Sequence, residues 1–471
     1  CLNFYPRKLQ SFTNNKIRLE ELLMGSMENN HKILAKESEA FATAARVKYY
    51  DIVIDSGRGA ILTDVDGNQY IDLLASASST NTGHCHPKVV KAIQDQAAKI
   101  IQYTPAYFAN SQAARLAPRL AELAPMSGPV EVAWGNSGSD ANDAIIKFAR
   151  ASTGRQYIVS FTGAYHGSTY GSMTLSSVSL NMARKMGPLL PGVVKVPFPD
   201  PWDKLPDESE EQFVDRYFKM FKLPFETYLP VDEVAAILIE PIQGDGGIVK
   251  TPPEFMKKIY QFAKENGILF AVDEVNQGMG RTGKWWSIQH FGIEPDLMSV
   301  GKSLASGMPL SAVIGRKEIM ESLGAPANVY TTAGNPVTTA AANATLDVIQ
   351  EEHLLERSAK LGEKAKQFFE GEQKKYDFIG DVRMYGLDGG INIVNPQTGK
   401  GDTAATTRIM YRVFELGAII ISLRGNILRF QPPLVITEEE LDRAFGMLDQ
   451  AFAEEAAGKL TLPDNADELG W

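Results

Sequence analysis

The chain has little cysteine, no long apolar run and no excess of basic residues. Its 471 residues include only two cysteines, Cys1 and Cys85, without a CxxC pair, which excludes a disulfide framework and a cysteine-based metal site and favours a reducing cytoplasm. No stretch approaches the roughly 20 apolar residues that span a bilayer. The net charge of −10 gives no support for binding nucleic acid or an anionic membrane. We therefore predict a cytoplasmic protein with neither of these partners.

The composition that remains is that of a globular protein. Hydrophobic residues make up 44% and charged residues 22%, which suits a large core with smaller domains packed on it. Residues 1–26 are mildly basic and begin without Met, so we interpret them as an extension outside the fold, with an ordered docking arm as the alternative. The predicted domains are an N-terminal lobe (27–84), a large α/β domain (85–345) and an α+β C-terminal domain (346–471).

Beyond His86, short apolar runs alternate with helical segments. The alternation predicts an α/β fold in which a mostly parallel sheet lies between helical layers. The predicted strands are 130–134, 157–160, 235–239, 268–272, 297–300 and 311–314. The predicted helices include 28–50, 336–376 and 437–455. Segment 198–230, rich in Pro, Asp and Glu, interrupts the alternation, so we interpret it as a surface insertion.

Two residues at strand ends indicate the chemistry. Asp273 closes the run 268–272, and Lys302 follows the run 297–300 after one glycine. A lysine amine can condense with an aldehyde, and an aspartate can keep a pyridine nitrogen protonated, which are the two electronic contacts of a pyridoxal phosphate site. The pair predicts pyridoxal 5'-phosphate as the cofactor. It does not decide what happens to the carbanion that this cofactor stabilises.

A glycine- and serine-rich turn follows the run 130–134 and precedes a predicted helix. Backbone N–H groups of such a turn bind anions at the positive end of the helix dipole, so Ser137, Gly138 and Ser139 are predicted phosphate contacts. The same turn is also typical of a simple helix N-cap. After the next run, Tyr165 is placed to stack on a planar pyridine ring, with core packing as the alternative. For His166 a structural hydrogen-bonding role is the favoured interpretation.

The run that begins at Asp273 adds two further candidate contacts. Val275 is predicted to pack under the cofactor ring, and Asn276 is predicted to hydrogen-bond the phenolic oxygen of the cofactor. His84 and His86 are close in sequence but lack a second ligand cluster, so no metal site is predicted.

Six motifs occur in a fixed order along the chain: NSGSD, AYHG, EPIQGDGG, DEVNQGMGRTG, SVGKSLASGMPL and TTAGNP. In this combination the sequence resembles the class III aminotransferase group of fold-type I pyridoxal phosphate enzymes, and from Met27 onward it is similar to the branched-chain amino-acid racemases of that group. The resemblance implies that Thr331 reaches the cofactor phosphate of a neighbouring subunit, so the active unit would be a homodimer or a homotetramer. It also implies that Arg429 holds the substrate carboxylate with its planar fork.

Two positions depart from the pattern of many aminotransferases. Asn276 stands where those enzymes have Gln, and Asp245 stands in a Gly-Asp-Gly-Gly run where they have Gly-Glu-Gly-Gly. Each change shortens a side chain that the resemblance places at the cofactor.

The resemblance leaves two reactions, and both begin when Lys302 removes the α-proton of an amino acid. A transaminase returns that proton to the cofactor, whereas a racemase delivers a proton to the opposite face of Cα and needs a second acid or base. Asp245 is the candidate for this group, and a loop carboxylate bound by backbone N–H groups is the alternative. Ala77, Tyr103 and Tyr107 are predicted to form a small apolar substrate pocket. We therefore predict a racemase or epimerase of isoleucine, leucine, valine and similar amino acids, with an aminotransferase as the alternative.

Overall fold

A seven-stranded sheet forms the centre of the computed structural model, which describes residues 26–463, 465–466 and 469–470. Its strands lie in the spatial order Val130–Gly135, Ser311–Arg316, Leu297–Val300, Leu269–Asp273, Val234–Ile239, Tyr157–Phe161 and Val193–Val196. All neighbours are parallel except Ser311–Arg316, which is antiparallel to both of its neighbours. The predicted α/β fold with a mostly parallel sheet is confirmed. The predicted extension falls almost wholly outside the described residues.

The inner strands are apolar because both of their faces are covered. Every residue of Val234–Ile239 and of Leu297–Val300 is buried, as expected for a parallel sheet between helical layers. The six predicted strands are present with ends shifted by no more than two residues. The edge strand Val193–Val196 was not predicted, because its Lys195 interrupts a short apolar run.

Two four-stranded sheets flank the central one. The N-terminal sheet contains Ile54–Arg58, Ile61–Asp64, Gln69–Asp72 and Ala418–Ile419. The C-terminal sheet contains Ile379–Met384, Gly389–Ile393, Ile427–Phe430 and Ile421–Leu423. A two-stranded ribbon joins Ile242–Gln243 to Val249–Lys250. The strand Ala418–Ile419 pairs in parallel with Gln69–Asp72, so the N-terminal sheet takes one strand from the C-terminal part of the chain.

The α-helices cover the faces of these sheets. In chain order they are Glu28–Ser38, Pro87–Ala97, Ser111–Leu123, Gly138–Thr153, Tyr170–Leu175, Glu210–Thr227, Pro253–Glu265, Lys317–Met320, Pro336–Glu351, Leu354–Lys375, Thr403–Glu415 and Glu438–Ala456. No helix in the described part of the chain has the length and apolarity to cross a membrane.

Two predicted helices and the predicted surface insertion differ from the structure. The helix predicted over 28–50 ends at Ser38. The one predicted over 336–376 is two helices, because His353 has a φ of 51°, in the left-handed region that a right-handed helix cannot contain. Segment 198–230 contains the helix Glu210–Thr227, whose Phe213 and Phe221 are fully buried. The segment is therefore part of the packed core and not only a surface insertion.

Candidate active site

A cavity of about 170 Å³ lies where the central strands end. Its lining residues follow the carboxyl ends of five strands, the edge at which open α/β sheets bind ligands. They are Gly138, Ser139, Asn142, Tyr165, His166, Gly167, Glu240, Asp245, Asp273, Val275, Asn276 and Lys302. Asp273 and Lys302, the two residues that indicated the chemistry, therefore lie in one cavity. Six other predicted site residues line it as well, namely Gly138, Ser139, Tyr165, Asp245, Val275 and Asn276.

The first turn of helix Gly138–Thr153 forms one wall of the cavity. The Ser137 hydroxyl accepts a hydrogen bond from the Asp140 N–H at 3.3 Å, and the Asp140 carboxylate accepts from the Ser137 N–H at 3.2 Å. Ser137 is thus the helix N-cap, while Gly138 and Ser139 face the cavity. A Cβ on Gly138 would lie 2.8 Å from the Val275 side chain, so only glycine fits there. The helix presents its free N–H groups and its positive dipole end to the cavity.

Asp273 is fixed by three hydrogen-bond donors. Its Oδ2 accepts from His166 Nδ1 at 2.8 Å and from Asn142 Nδ2 at 2.7 Å, and its Oδ1 accepts from the Val275 N–H at 2.9 Å. The imidazole tautomer follows from this network, since Nδ1 must carry the proton that it donates. The buried carboxylate consequently has one defined orientation toward the cavity. The hydrogen-bonding interpretation of His166 agrees with this geometry, whereas Asn142 was not identified from the sequence.

Lys302 is held in an unusual backbone conformation, with a φ of 44°. A residue other than glycine in this region carries strain, which proteins tolerate mainly at functional sites. Burial lowers the pKa of Lys302 below its ordinary value, and the positive charge of Arg429 acts in the same direction, against the carboxylate of Asp245. The neutral amine, which is the nucleophilic and basic form, is therefore more accessible than in a solvent-exposed lysine.

Asn276 and Arg429 connect Lys302 to Asp245. With its amide oxygen facing the two nitrogen donors, Asn276 accepts from Lys302 Nζ at 2.9 Å and from Arg429 Nη2 at 2.8 Å. Arg429 Nη1 donates to Asp245 Oδ1 at 2.8 Å, and both of these side chains are buried. Gln431 completes the environment of the guanidinium by accepting from its Nε at 2.5 Å. Arg429 adjoins the cavity through Asp245 and Asn276, and its pairing with Asp245 was not foreseen from the sequence.

Glu240 is a buried carboxyl group in the cavity that sequence reasoning did not assign. Its Oε2 accepts from the Tyr165 N–H at 3.2 Å, and its Oε1 accepts from the Gly244 N–H at 3.0 Å. Burial raises the pKa of Glu240 to about 7, with nearby Asp273 acting in the same direction. Glu240 therefore ties the segment that carries Tyr165 to the segment that carries Asp245.

Several predicted contacts lie outside the cavity lining of this chain. Tyr103 and Tyr107 are exposed, with 62% and 78% of their surface accessible, and Thr331 is exposed as well. Ala77 is partly buried in Ala75–Ser78, a left-handed turn in which four consecutive residues have positive φ. The roles predicted for these residues stay predictions.

The two histidines near Cys85 have carboxylate partners. His84 Nε2 lies 2.7 Å from Asp72 Oδ2, and His86 Nε2 lies 2.9 Å from Glu352 Oε1. Within residues 26–463, 465–466 and 469–470 no group of three or more His, Cys, Asp or Glu side chains has an arrangement that could hold a metal ion.

The chain matches the family model described as aminotransferase class-III over residues 42–452. It belongs to the class III aminotransferase family. The resemblance identified from the six motifs is thereby confirmed. The match covers the central sheet, both flanking sheets and every residue of the cavity lining.

Individual relatives within the family include racemases and aminotransferases. The chain is 60% identical over 450 residues to isoleucine 2-epimerase from Lentilactobacillus buchneri, covering 95% of this chain and 100% of that protein. It is 40% identical over 434 residues to leucine/methionine racemase from Thermococcus litoralis, covering 91% and 97%. Ornithine aminotransferase from Toxoplasma gondii has a similar structure, with a TM-score of 0.80 at 26% identity over 96% of this chain and 100% of that one.

Class III aminotransferases use pyridoxal 5'-phosphate, and it is the cofactor of this chain. The cavity fits this group chemically. It offers a lysine amine whose neutral form is favoured by burial, a buried and oriented carboxylate at Asp273, and a helix N-terminus for a phosphate. Among the described residues, His166 Nε2 and Asn142 Oδ1 are also buried without a hydrogen-bond partner, beside the Asp273 carboxylate that they orient.

Proposed function

We propose that the protein is a pyridoxal-phosphate-dependent racemase or epimerase that inverts Cα of non-polar amino acids. Its principal reaction would convert L-isoleucine to D-allo-isoleucine, with leucine and valine as further substrates. The observation that carries the proposal is the 60% identity to isoleucine 2-epimerase over the full length of that protein. The presence of the buried Asp245 side chain in the same cavity as Lys302 supports it.

Each part of the cavity has a proposed role toward the cofactor. Lys302 binds the aldehyde carbon, and Asp273 holds the proton on the ring nitrogen. The phosphate binds at the turn before helix Gly138–Thr153. The remaining contacts are those predicted from the sequence, with Tyr165 and Val275 on the two faces of the ring and Asn276 at the phenolic oxygen.

Two residues would move the α-proton. The cofactor, when bound, draws electrons from Cα of the attached amino acid and so makes the α-proton acidic. Lys302 Nζ removes that proton from one face of Cα, and Asp245 delivers a proton to the other face. Before the substrate binds, the connection through Asn276 and Arg429, with each link at 2.8 or 2.9 Å, sets the separation of the two groups.

Arg429 would bind the substrate carboxylate. A guanidinium is suited to this role because its two parallel N–H groups match the two oxygens of a carboxylate. In this structure Nη1 is paired with Asp245, so the incoming carboxylate competes with Asp245 for the arginine. Substrate binding would thus free Asp245 from its cation, and Asp245 must then take up a proton from solvent before it can donate one to Cα.

The substrate range is expected to be broad among aliphatic amino acids. An apolar pocket distinguishes side chains that differ by one methylene by only about 1–3 kcal/mol. The small Ala77 and the aromatic Tyr103 and Tyr107 are the proposed pocket residues, and none of them offers a charge to a second carboxylate.

The active unit is proposed to be a homodimer or a larger homo-oligomer. Ile101, Tyr103, Tyr107 and Phe108 form an apolar group that is 54% to 78% exposed, which is typical of a surface that another subunit covers. Thr331 adjoins this group, because its carbonyl accepts from Gln102 Nε2 at 2.7 Å. A second copy on this surface would bring its own Thr331 and aromatic residues toward the cavity of the first.

A hybrid of two inactive variants tests the shared site. In a mixed dimer of K302A and T331V subunits, one site keeps both Lys302 and the partner subunit's Thr331. Activity and tight cofactor binding should reappear in the hybrid, whereas neither variant alone should show both. A hybrid that shows no more activity than the sum of its parents would contradict the sharing.

A chiral assay tests the function itself. L-Isoleucine is incubated with the cofactor-loaded enzyme in D2O without a keto-acid acceptor, and the products are separated on a chiral column. Racemisation predicts D-allo-isoleucine with deuterium at Cα. Formation of no D-allo-isoleucine, together with rapid amination of an added keto acid, would establish the aminotransferase alternative instead.

A further inference from the structure

Two arginines and a glycine form a row across the C-terminal sheet. Arg383, Gly390 and Arg429 lie on three neighbouring antiparallel strands, and Arg383 pairs with Gly390 as Gly390 pairs with Arg429. Residues directly opposite each other on paired strands project from the same face of a sheet. Both guanidinium groups therefore leave the sheet on the same side, with only a glycine between them.

Both arginines contact the segment 244–248, which we call the Asp245 loop. Arg429 donates to the Asp245 carboxylate at 2.8 Å. Arg383 donates from Nη2 to the Gly247 carbonyl at 2.8 Å and from Nε to the Ile248 carbonyl at 3.2 Å. One arginine thus holds the side chain of the loop, and the other holds its backbone two and three residues later.

Arg383 is itself fixed. It is buried, its Nη2 also donates to Asn392 Oδ1 at 2.7 Å, and its Nη1 is paired with Asp381. A guanidinium whose three nitrogens all donate to partners has little freedom to rotate. Arg383 is consequently a rigid support and not a mobile surface side chain.

Gly390 allows the loop to approach the sheet closely. A Cβ at this position would lie 2.6 Å from the Gly247 carbonyl oxygen and 3.2 Å from Ile248 Cβ. Any larger residue would push the loop away from the sheet, and with it Asp245. The position of the loop is therefore set by contact with the C-terminal sheet.

The Asp245 loop does not hold this conformation by its own preferences. It is a tight turn in which the N–H groups of Gly247 and Ile248 both donate to the Gly244 carbonyl, at 3.0 and 3.1 Å. Ile248 has a φ of 55°, which is strained for a β-branched residue. Such strain persists only where the surroundings impose it, and here the surroundings include Arg383 and Gly390.

We propose that Arg383 and Gly390 are positioning residues that set the distance of Asp245 from Cα of the substrate. The inference rests on the proposed function, in which Asp245 transfers the second proton. Asp245 is one methylene shorter than the glutamate of many aminotransferases, so it has less reach. Its backbone must be placed correctly, because proton transfer requires contact at hydrogen-bond distance. Neither residue touches the substrate or the cofactor in this scheme.

Three variants test the proposal. R383K keeps the charge but replaces the fork by a single ammonium, and G390A inserts the Cβ beneath the loop. R408K is the matched control, because Arg408 forms a two-point pair with Glu455 in the same part of the chain without contacting the loop.

Each enzyme is incubated with L-isoleucine in D2O, and both isomers are analysed early in the reaction. Deuterium in the remaining L-isomer reports on Lys302, and deuterated D-allo-isoleucine reports on Asp245.

The measured quantity is the ratio of deuterated D-allo-isoleucine to deuterated L-isoleucine. We expect this ratio to fall by about tenfold to a hundredfold in R383K and G390A, because a displacement of about 1 Å at the reacting atoms causes a loss of this size. R408K should leave the ratio unchanged. A crystal structure of cofactor-loaded R383K should show the Arg429 to Asp245 distance lengthened beyond 2.8 Å.

Each failure has a separate meaning. A wild-type enzyme that shows no inversion would defeat the proposed function before the variants are considered. A wild-type enzyme that inverts, with ratios unchanged in R383K and G390A or with an unmoved Asp245 in the crystal, would overturn the positioning role alone.

Discussion

Replacement of Asp245 by Asn should separate the two faces of the reaction. The amide has nearly the same shape and can still accept the hydrogen bond from Arg429, which is 2.8 Å long in the structure. It cannot donate or accept the catalytic proton at neutral pH. Since a positioned acid or base contributes about 10² to 10⁴ in rate, inversion should fall by that factor, equivalent to about 3–5 kcal/mol in activation free energy.

D245N should still exchange the α-proton of L-isoleucine with solvent while the configuration at Cα is retained. Lys302 and its partner Asn276 are unchanged, so D245N should still introduce deuterium into L-isoleucine in D2O. The Michaelis constant should not rise, because Arg429 loses its carboxylate competitor and keeps only the neutral acceptors Asn276 and Gln431. The combination of lost inversion, retained exchange and undiminished binding is the expected signature.

The assay is the chiral separation of products with mass detection of deuterium at Cα. D200N is the control, because Asp200 pairs at 2.9 Å with Arg424, which also reaches the Gly246 carbonyl at 3.4 Å. It removes a carboxylate from the outer side of the same segment without altering the cavity. Inversion by D245N at the wild-type rate would refute the assignment of Asp245 and return it to the structural alternative.

Three further predictions concern the cofactor lysine, a buried carboxyl group and the left-handed turn. K302A should abolish both exchange and inversion, and borohydride should no longer attach the cofactor to the protein, as measured by its intact mass. Burial raises the pKa of Glu274 to about 7, so from pH 4.5 to 7 the folded state binds more protons than the unfolded state. The free energy of unfolding should fall as pH rises through this window, and E274Q should remove about 3 kcal/mol of that dependence in urea titrations. S76G should raise the free energy of unfolding by about 1 kcal/mol, because Ser76 is exposed at a φ of 50° and glycine carries no strain there. S79G, at a φ of −97° in the same turn, should lower it. A decrease in S76G would contradict the assigned strain.

The central strands could be predicted because a strand that is buried on both faces appears in the sequence as an uninterrupted apolar run. Val234–Ile239 is apolar at every position, and among the residues that the structure describes no other six-residue element has this pattern. The antiparallel direction of Ser311–Arg316 could not be predicted, since the apolar pattern of a buried strand does not indicate the direction in which it runs in the sheet. The break at His353 was also hidden, because neither glycine nor proline marks it.

The sequence of Glu210–Thr227 contains two features that indicate a helix, although the segment was predicted as a surface insertion. Ser209 and Gln212 form a capping box, and Phe213, Tyr217 and Phe221 recur at a spacing of four residues, which is typical of a buried helix face. The acidic and proline-rich composition of the surrounding segment obscured this pattern.

The cofactor contacts Lys302 and Asp273 could be predicted, because the chemistry of these two residue types at strand ends points to one kind of site. A lysine and an aspartate at strand ends lead to a pyridoxal phosphate site almost without alternatives. The contact of Asn142 was not predictable, because amide side chains are common and its partner Asp273 lies 131 positions away. The pairing of Asp245 with Arg429, 184 positions apart, likewise required the fold.

The strand Ala418–Ile419 has a consequence for how the chain folds during synthesis. Residues 54–72 leave the ribosome early, but the strand that covers their exposed edge is made about 350 residues later, and until then the backbone groups of Ile71 and Leu73 lack their partners Gly417 and Ile419. An uncovered edge strand is a template for association with other chains. The N-terminal sheet is therefore completed only after the whole central sheet has been synthesised, and nascent or C-terminally truncated chains should depend on chaperones more than the finished protein does.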